Sequence, residues 1–508
     1  MIGGIDAQAA SRGATSRRSS RALLWIVALG ILLGFAFQGS RGLWGPDEGR
    51  YVDAALQMMD SGNYMVPAYS PAELNFSKPP LTYWVIAGSM QLFGRNTWAA
   101  RLPYALAYLA TLLVLFAMGR KACPDKPWLA PLVYATSIFT FLTANIISTD
   151  VLLTLAESLA VLGFMMFAWP DDSASRTRRG RLLMWLGFGV AFLAKGPPGL
   201  LPLLAIIAFT ALCDGWRAVG RLFAPMGLLT FLVIGFTWYA LAIFRYPGLL
   251  HYFIHDEVYG RIFTKMYVRH SDSFGWILVY APVLICGTLP WWGGAARAAK
   301  SAASPSSWRA WRATRSIQLF LLLWFVVPLV VFCLAKSRLP LYLLPLFLPL
   351  ALLVASSTAP RFNLALRRNA LLLAAWVAVL LAIKALPAHG YGADIDDGVS
   401  AREVTTAAAG TDYHALVFVE KATDSYAIEE QTPWGMRLYL DKPVYGIRWM
   451  DTDAAAQICA AIKAQGQSLL LVDRDIRREN LERALDHCHA SATPVGAWRK
   501  DRLFVARP

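Results

Sequence analysis

Apolar residues in this chain come in long blocks. They occupy residues 21–38, 98–118, 128–145, 150–169, 182–194, 200–213, 223–244, 275–293, 317–335, 340–357 and 369–386. Many approach the roughly 20 residues that a helix needs to cross a bilayer, so the pattern predicts about eleven crossings. The loop after the first block reads differently. Val52, Ala55, Leu56 and Met59 recur at helical spacing against Asp53, Gln57 and Asp60, which predicts an amphipathic helix in the plane of the membrane surface. Leu81–Phe93 is apolar but too short to span, and predicts a second interfacial helix. Beyond residue 386 the blocks end. Ala415–Val419, Ser468–Val472 and Leu503–Val505 read as strands, and Ala454–Gln465 and Ile476–His487 as helices, which together predict a small α/β domain.

Charge gives the blocks a direction. Basic residues gather in alternate connections: Arg120, Lys121 and Lys126; Arg176, Arg178, Arg179 and Arg181; Arg217 and Arg221; Arg297 through Arg315; Arg361, Arg367 and Arg368. The positive-inside rule places these in the cytoplasm, with Arg12, Arg17 and Arg18 ahead of the first block. Counting Leu81–Phe93 as a span would invert everything after it and destroy the agreement. The predicted organisation is a cytoplasmic N-terminus (1–20), a transmembrane domain (21–386) whose residues 39–97 form a periplasmic loop, and a periplasmic α/β domain (387–508). The first block lacks an Ala-x-Ala ending, so it is expected to stay as an uncleaved anchor.

Composition fits this class. Of the 508 residues 56% are hydrophobic and 16% charged, against about a quarter charged in soluble domains. The mean hydropathy is +0.44. The net charge of +15 sits mostly between apolar blocks, where it suits anionic lipid heads; nothing points to nucleic acid. The six cysteines are scattered, with no C-x-x-C pair. A disulfide between Cys459 and Cys488 is open. His487-Cys-His489 does not match common metal-ligand spacings and is expected to be a surface stretch.

Several charged groups then fall at one membrane surface. They are Asp47, Glu48, Arg50, Lys78, Arg101, Asp150, Lys195, the His255–Arg261 stretch, Lys336, Arg338 and Tyr342. Acids at a helix start complement the dipole without any chemistry. Interfacial cations commonly snorkel, and Glu157 and Lys384 take that bland reading. The combination suits transfer of a group carried on a lipid phosphate: cations to hold the phosphate, a carboxylate to orient or deprotonate the attacking group. No Walker loop or dinucleotide fingerprint accompanies it.

The runs W-x-P-D-E-x-R-Y (Trp44–Tyr51), K-P-P-L-x-Y-W (Lys78–Trp84) and L-F-G-x-x-x-x-A-A-R-L-P (Leu92–Pro103) resemble the superfamily of aminoarabinose transferases and protein O-mannosyltransferases. Ser148-Thr-Asp150, Ala194-Lys-Gly-Pro197, Glu257-x-x-x-Arg261 and Ser337-Arg-Leu-Pro-Leu-Tyr342 follow in the same order. The resemblance implies a polytopic α-helical membrane protein with the C-type glycosyltransferase (GT-C) fold. About 11–13 transmembrane helices are expected, with interfacial helices in the first periplasmic loop and a small C-terminal α/β periplasmic domain. It implies an inverting glycosyltransferase of the bacterial inner membrane. The donor would be a polyprenyl-phosphate sugar and the acceptor lipid A, lipopolysaccharide or another envelope glycan.

Residue by residue, the resemblance makes Asp47 the catalytic carboxylate, Asp150 a second functional acid, and Glu48 a further member of the catalytic set. Lys78 and Arg261 bind the donor phosphate, with Tyr342 beside it. Arg50, Tyr51, Arg101, Glu257 and Arg338 support substrate binding. Two departures bear on metal. Ser77 and Val258 stand where these enzymes usually carry Glu and His, so no metal ligand is assigned and no tightly bound metal is expected there, while a divalent ion held elsewhere stays open. Two rivals remain at this point: protein O-mannosyl transfer, and transport of a lipid-linked sugar without chemistry. Against transport, the charges gather at one surface rather than the bilayer midplane, and the chain shows no internal repeat.

Overall fold

The computed structural model describes residues 20–70, 73–170, 174–260, 272, 274–423 and 425–508. Among them, seven helices are long and apolar enough to cross a bilayer: Thr97–Ala122, Thr149–Ala168, Pro197–Asp214, Pro225–Arg245, Ile317–Leu334, Pro340–Thr358 and Arg367–His389. Gly275–Gly287 and Trp292–Ala302, bent by 118°, make an eighth if counted as one. The polytopic helical class holds, but the count falls below the sequence reading. Three apolar blocks explain the difference. Ser20–Phe35 is helical but short. The block at 128–145 is cut into Leu129–Thr136 and Ile138–Thr143 where Ser137 turns extended. The block at 182–194 is the apolar end of one helix, Ala174–Lys195, whose other half carries Arg178, Arg179 and Arg181.

The described chain forms two compact units. The first holds residues up to Ala36, Ser77–Pro79 and Tyr104–Lys384. Its closest packing is between the helices Thr149–Ala168 and Ala174–Lys195, which run antiparallel. Gly163 faces Gly180 and Met184, while Gly187 faces Ala160 and Ala156; a Cβ on Gly187 would lie 2.4 Å from the Ala160 nitrogen. Small residues let apolar helices approach this closely when lipid supplies no hydrophobic drive between them. The hairpin brings the start of the first helix to the end of the second, and so Asp150 to Lys195.

The second unit holds Phe37–Phe76, Pro80–Pro103 and Ala385–Pro508. Strands β1 (Ala68–Ser70) and β2 (Glu73–Leu74) pair antiparallel. The C-terminal sheet contains β3 (Ala415–Glu420), β4 (Val444–Arg448), β5 (Ser468–Asp473), β6 (Ser491–Trp498) and β7 (Asp501–Arg507), in the order β4-β3-β5-β7-β6. β3 is parallel to β4 and β5; β7 is antiparallel to β5 and β6. The predicted strands are its three central members.

The loop that the sequence reading grouped with the spans shares its core with this tail. Ala54, Met58, Tyr69 and Tyr83 cluster with Leu416, Phe418, Leu469 and Leu471. The amphipathic helix is Asp47–Ser61, closed by Gly62 at φ 68°, the left-handed cap that glycine takes without penalty. Its polar stripe does not face open solvent. Arg437 donates to Asp53 Oδ1 at 3.2 Å, Gln57 Oε1 at 2.8 Å and Asp60 Oδ2 at 2.8 Å. Gly49 is needed for fit: a Cβ there would lie 2.7 Å from both Asp397 Oδ2 and the Gly435 nitrogen. The second predicted interfacial helix is Leu81–Phe93.

Cys459 and Cys488 form a disulfide, 29 residues apart, so the His487-Cys-His489 stretch has no free thiol and its histidines are exposed. Replacing both cysteines by serine is expected to lower stability by about 3 kcal/mol, through freedom returned to the unfolded chain. Thermal unfolding of the purified protein, with and without reductant, measures it.

Candidate active site

In the first unit, the helix Thr149–Ala168 starts on a conventional cap. The Ser148 hydroxyl accepts from the Asp150 nitrogen at 3.2 Å and donates to Asp150 Oδ2 at 3.1 Å. Asp150 therefore sits buried in a first helical turn, where the dipole favours a carboxylate. Its Oδ1 meets Lys195 Nζ at 2.5 Å. The same ammonium lies 4.3 Å from the centre of the Tyr342 ring, a cation–π geometry. Tyr342 comes from the 3₁₀ segment Pro340–Leu346, whose two prolines fix the turn. Glu157, two turns after Asp150 on the same helix face, is buried at 3% exposure. Its carboxyl group therefore does not reach the interface as a snorkelling charge would.

Arg338 is also buried, donating to the carbonyls of Asp272 at 2.8 Å and Cys333 at 3.2 Å. Lys78 is half-buried, with Nζ 2.8 Å from the Ser77 carbonyl. Glu257 lies in a π-helical turn, Tyr252–Gly260, and accepts from the Tyr252 hydroxyl at 3.2 Å. Arg261 lies outside the described residues.

In the second unit, Asp47 and Glu48 are neighbours with opposite surroundings. Asp47 is exposed, 52% at the side chain, and pairs with Arg50 one turn on. Arg50 is nearly buried and reaches Glu429 Oε2 at 3.4 Å, so a tail residue helps aim the guanidinium at Asp47. Glu48 is enclosed. Arg41 grips both its oxygens, at 2.6 and 2.9 Å; Arg101 donates to Oε2 at 2.7 Å; the Trp44 nitrogen donates at 2.9 Å. Burial alone would raise its pKa, but the guanidiniums of Arg101 and Arg41 hold the carboxyl well below the usual range. Arg101, fully buried, also donates to the Gln38, Arg41 and Gly42 carbonyls. Glu48 and Arg101 thus brace the loop that presents Asp47. Tyr51 lies beside Tyr83, ring centres 5.8 Å apart.

Sequence reasoning counted Lys195 among the converging cations but did not pair it with Asp150, and Glu429 was not singled out. The Asp150–Lys195 pairing could have been found from the hairpin that brings residues 150 and 195 together; nothing in the sequence signals Glu429. Metal does not fit the positions the resemblance raised. Ser77 offers a neutral hydroxyl and Val258 no donor atom at those two positions, unlike the carboxylate and imidazole a divalent ion takes.

An undecaprenyl phosphate-alpha-4-amino-4-deoxy-L-arabinose arabinosyl transferase of Aeromonas salmonicida is 31% identical over 393 residues, 74% of this chain and 69% of that one. The chain belongs to the aminoarabinose-transferase family. It is a glycosyltransferase, which removes the reading of transport without chemistry. A family member from Sodalis glossinidius is 32% identical over 360 residues, 69% of this chain and 61% of its own. A family model described as dolichyl-phosphate-mannose-protein mannosyltransferase matches residues 77–240. Among solved structures, ArnT of Cupriavidus metallidurans bound to undecaprenyl phosphate superposes with a TM-score of 0.72 at 22% identity, covering 95% of this chain and 97% of that one. The archaeal oligosaccharyltransferase AglB of Archaeoglobus fulgidus gives 0.55 at 13% identity, covering 90% and 70%. The aminoarabinose-transferase chain therefore has the GT-C fold.

Proposed function

We propose that this chain moves a sugar, 4-amino-4-deoxy-L-arabinose, from undecaprenyl phosphate to lipid A or lipopolysaccharide at the periplasmic face of the bacterial inner membrane. What carries the reading is its 31% identity to a transferase of that name across 69% of the latter's length. The acceptor oxygen attacks the anomeric carbon in line, forming the new bond as the carbon–oxygen bond to undecaprenyl phosphate breaks, with inversion. Lys78 and Arg261 take the departing phosphate's charge, with Tyr342 and Arg338 assisting. Asp150, held by Lys195, is the second acid. Asp47, aimed by Arg50, orients the acceptor or takes its proton. The Cys459–Cys488 disulfide supports an oxidising compartment for the tail.

The mannosyltransferase match over residues 77–240 favours a second reading, transfer to a protein hydroxyl. Purified full-length protein, given labelled undecaprenyl-phosphate aminoarabinose with lipid A or with hydroxyl-bearing peptides, separates the two. Label in lipid A is expected. Label in peptide alone would favour the second reading, and no transfer from any undecaprenyl-phosphate sugar would refute both.

A further inference from the structure

The sheet of the second unit reverses its winding at β3. β4 lies on one side and β5 on the other, both parallel to β3. In sheets of this kind, the carboxyl ends of the strands flanking such a reversal open a crevice where ligands bind. Both carboxyl ends here carry acids. Glu420 ends β3 and Asp473 ends β5, while Asp501 starts β7 directly opposite Asp473. One carboxylate oxygen from each lies within 4.8 Å of the other two. The three residues are 3%, 8% and 3% exposed.

Among the described residues, Lys500 is the cation that forms ion pairs with this group. Lys500 reaches in, with Nζ 2.7 Å from Glu420 Oε2 and 3.2 Å from Asp473 Oδ2. Its side chain is 51% exposed, so the ammonium can leave for water. Asp501 Oδ1 is buried and has no hydrogen-bond partner, a costly state for a carboxylate oxygen.

We propose that Glu420, Asp473 and Asp501 bind a hard divalent cation of the magnesium, calcium or manganese class, with Lys500 swinging out as the ion enters. Three carboxylates with no imidazole or thiolate select hard ions over zinc or copper. A bound cation would satisfy the unpartnered Asp501 oxygen.

Manganese itself is the probe. Full-length protein in detergent, stripped with a chelator, is titrated with Mn²⁺ and followed by the loss of the free-ion electron paramagnetic resonance signal. Saturable binding, displaced by Mg²⁺ or Ca²⁺ and lost in Asp501→Asn and Asp473→Asn, is expected. Lys500→Gln removes the competing ammonium, so it should melt earlier than wild type in chelator, bind Mn²⁺ with a lower Kd, and regain its melting temperature when Mn²⁺ is added. Lys500→Gln also decides the matter if the aspartate variants fail to fold. Mn²⁺ binding unchanged in folded Asp501→Asn, or absent from both wild type and Lys500→Gln, overturns the proposal.

Discussion

Asp47→Asn is expected to slow sugar transfer by about 10²–10⁴-fold, the range that positioned acid–base groups contribute, while folded protein accumulates normally. The structural side rests on exposure. With 52% of its side chain in solvent and Arg50 as its ion-pair partner, Asp47 contributes little to packing, and exposed substitutions seldom move stability by more than about 0.5 kcal/mol. Arg50 keeps Glu429 as a partner when the Asp47 charge is removed. The catalytic side depends on the acceptor. A hydroxyl needs a proton taken from it, so the loss should reach the upper part of the range; a phosphate arrives already ionised, so the loss should fall lower. Initial rates with labelled undecaprenyl-phosphate aminoarabinose, normalised to monodisperse protein, measure the effect. A variant that transfers at the wild-type rate would remove Asp47 from the mechanism.

Local chemistry was legible where a period or a motif was strong. Leu81–Phe93 emerges as a helix because every turn is apolar and Pro79 and Pro80 precede it. β3, β5 and β7 are readable because central strands are buried on both faces and run Val/Leu/Phe-rich. The two strands of that sheet that escaped are its edges, β4 with Gly446 inside it and β6 with Pro494 and Gly496. Glycine and proline weaken a strand pattern yet are tolerated where one side of the ladder is unpaired. Association over long sequence distance was not legible. Nothing local to Asp53 or Asp60 announces Arg437, so the polar stripe looked solvent-facing when it was waiting for a partner from the tail. Span counting overshot for a related reason. Hydropathy registers an apolar block but not the break at Ser137 that divides it.

Glu48→Ala should behave in the opposite way to its neighbour, costing about 3–5 kcal/mol of stability because it strips a buried acid from two guanidiniums that remain enclosed. Arg101 has no exposed surface and Arg41 keeps only 10% of its side chain in solvent, so neither can recover full hydration without opening the loop. The pH dependence follows from the sign of the shift. In the unfolded chain Glu48 titrates near its ordinary value of 4.5, and in the folded chain well below it. Between those values the unfolded state binds a proton that the folded state does not, so acid favours unfolding. The contribution is fully present above the ordinary value and is lost as the pH falls from about 4.5 toward the depressed one. Thermal unfolding of detergent-purified wild type should therefore weaken more steeply below pH 5 than that of Glu48→Gln, which cannot titrate there. Equal slopes would mean that the clamp carries no net electrostatic stabilisation. A Glu48 variant then loses activity along with its fold, at every substrate concentration and with any acceptor. An Asp47 variant keeps the fold and loses only the rate. Two adjacent carboxylates in one motif are in this way separable, one enclosed by two guanidiniums and the other open to solvent.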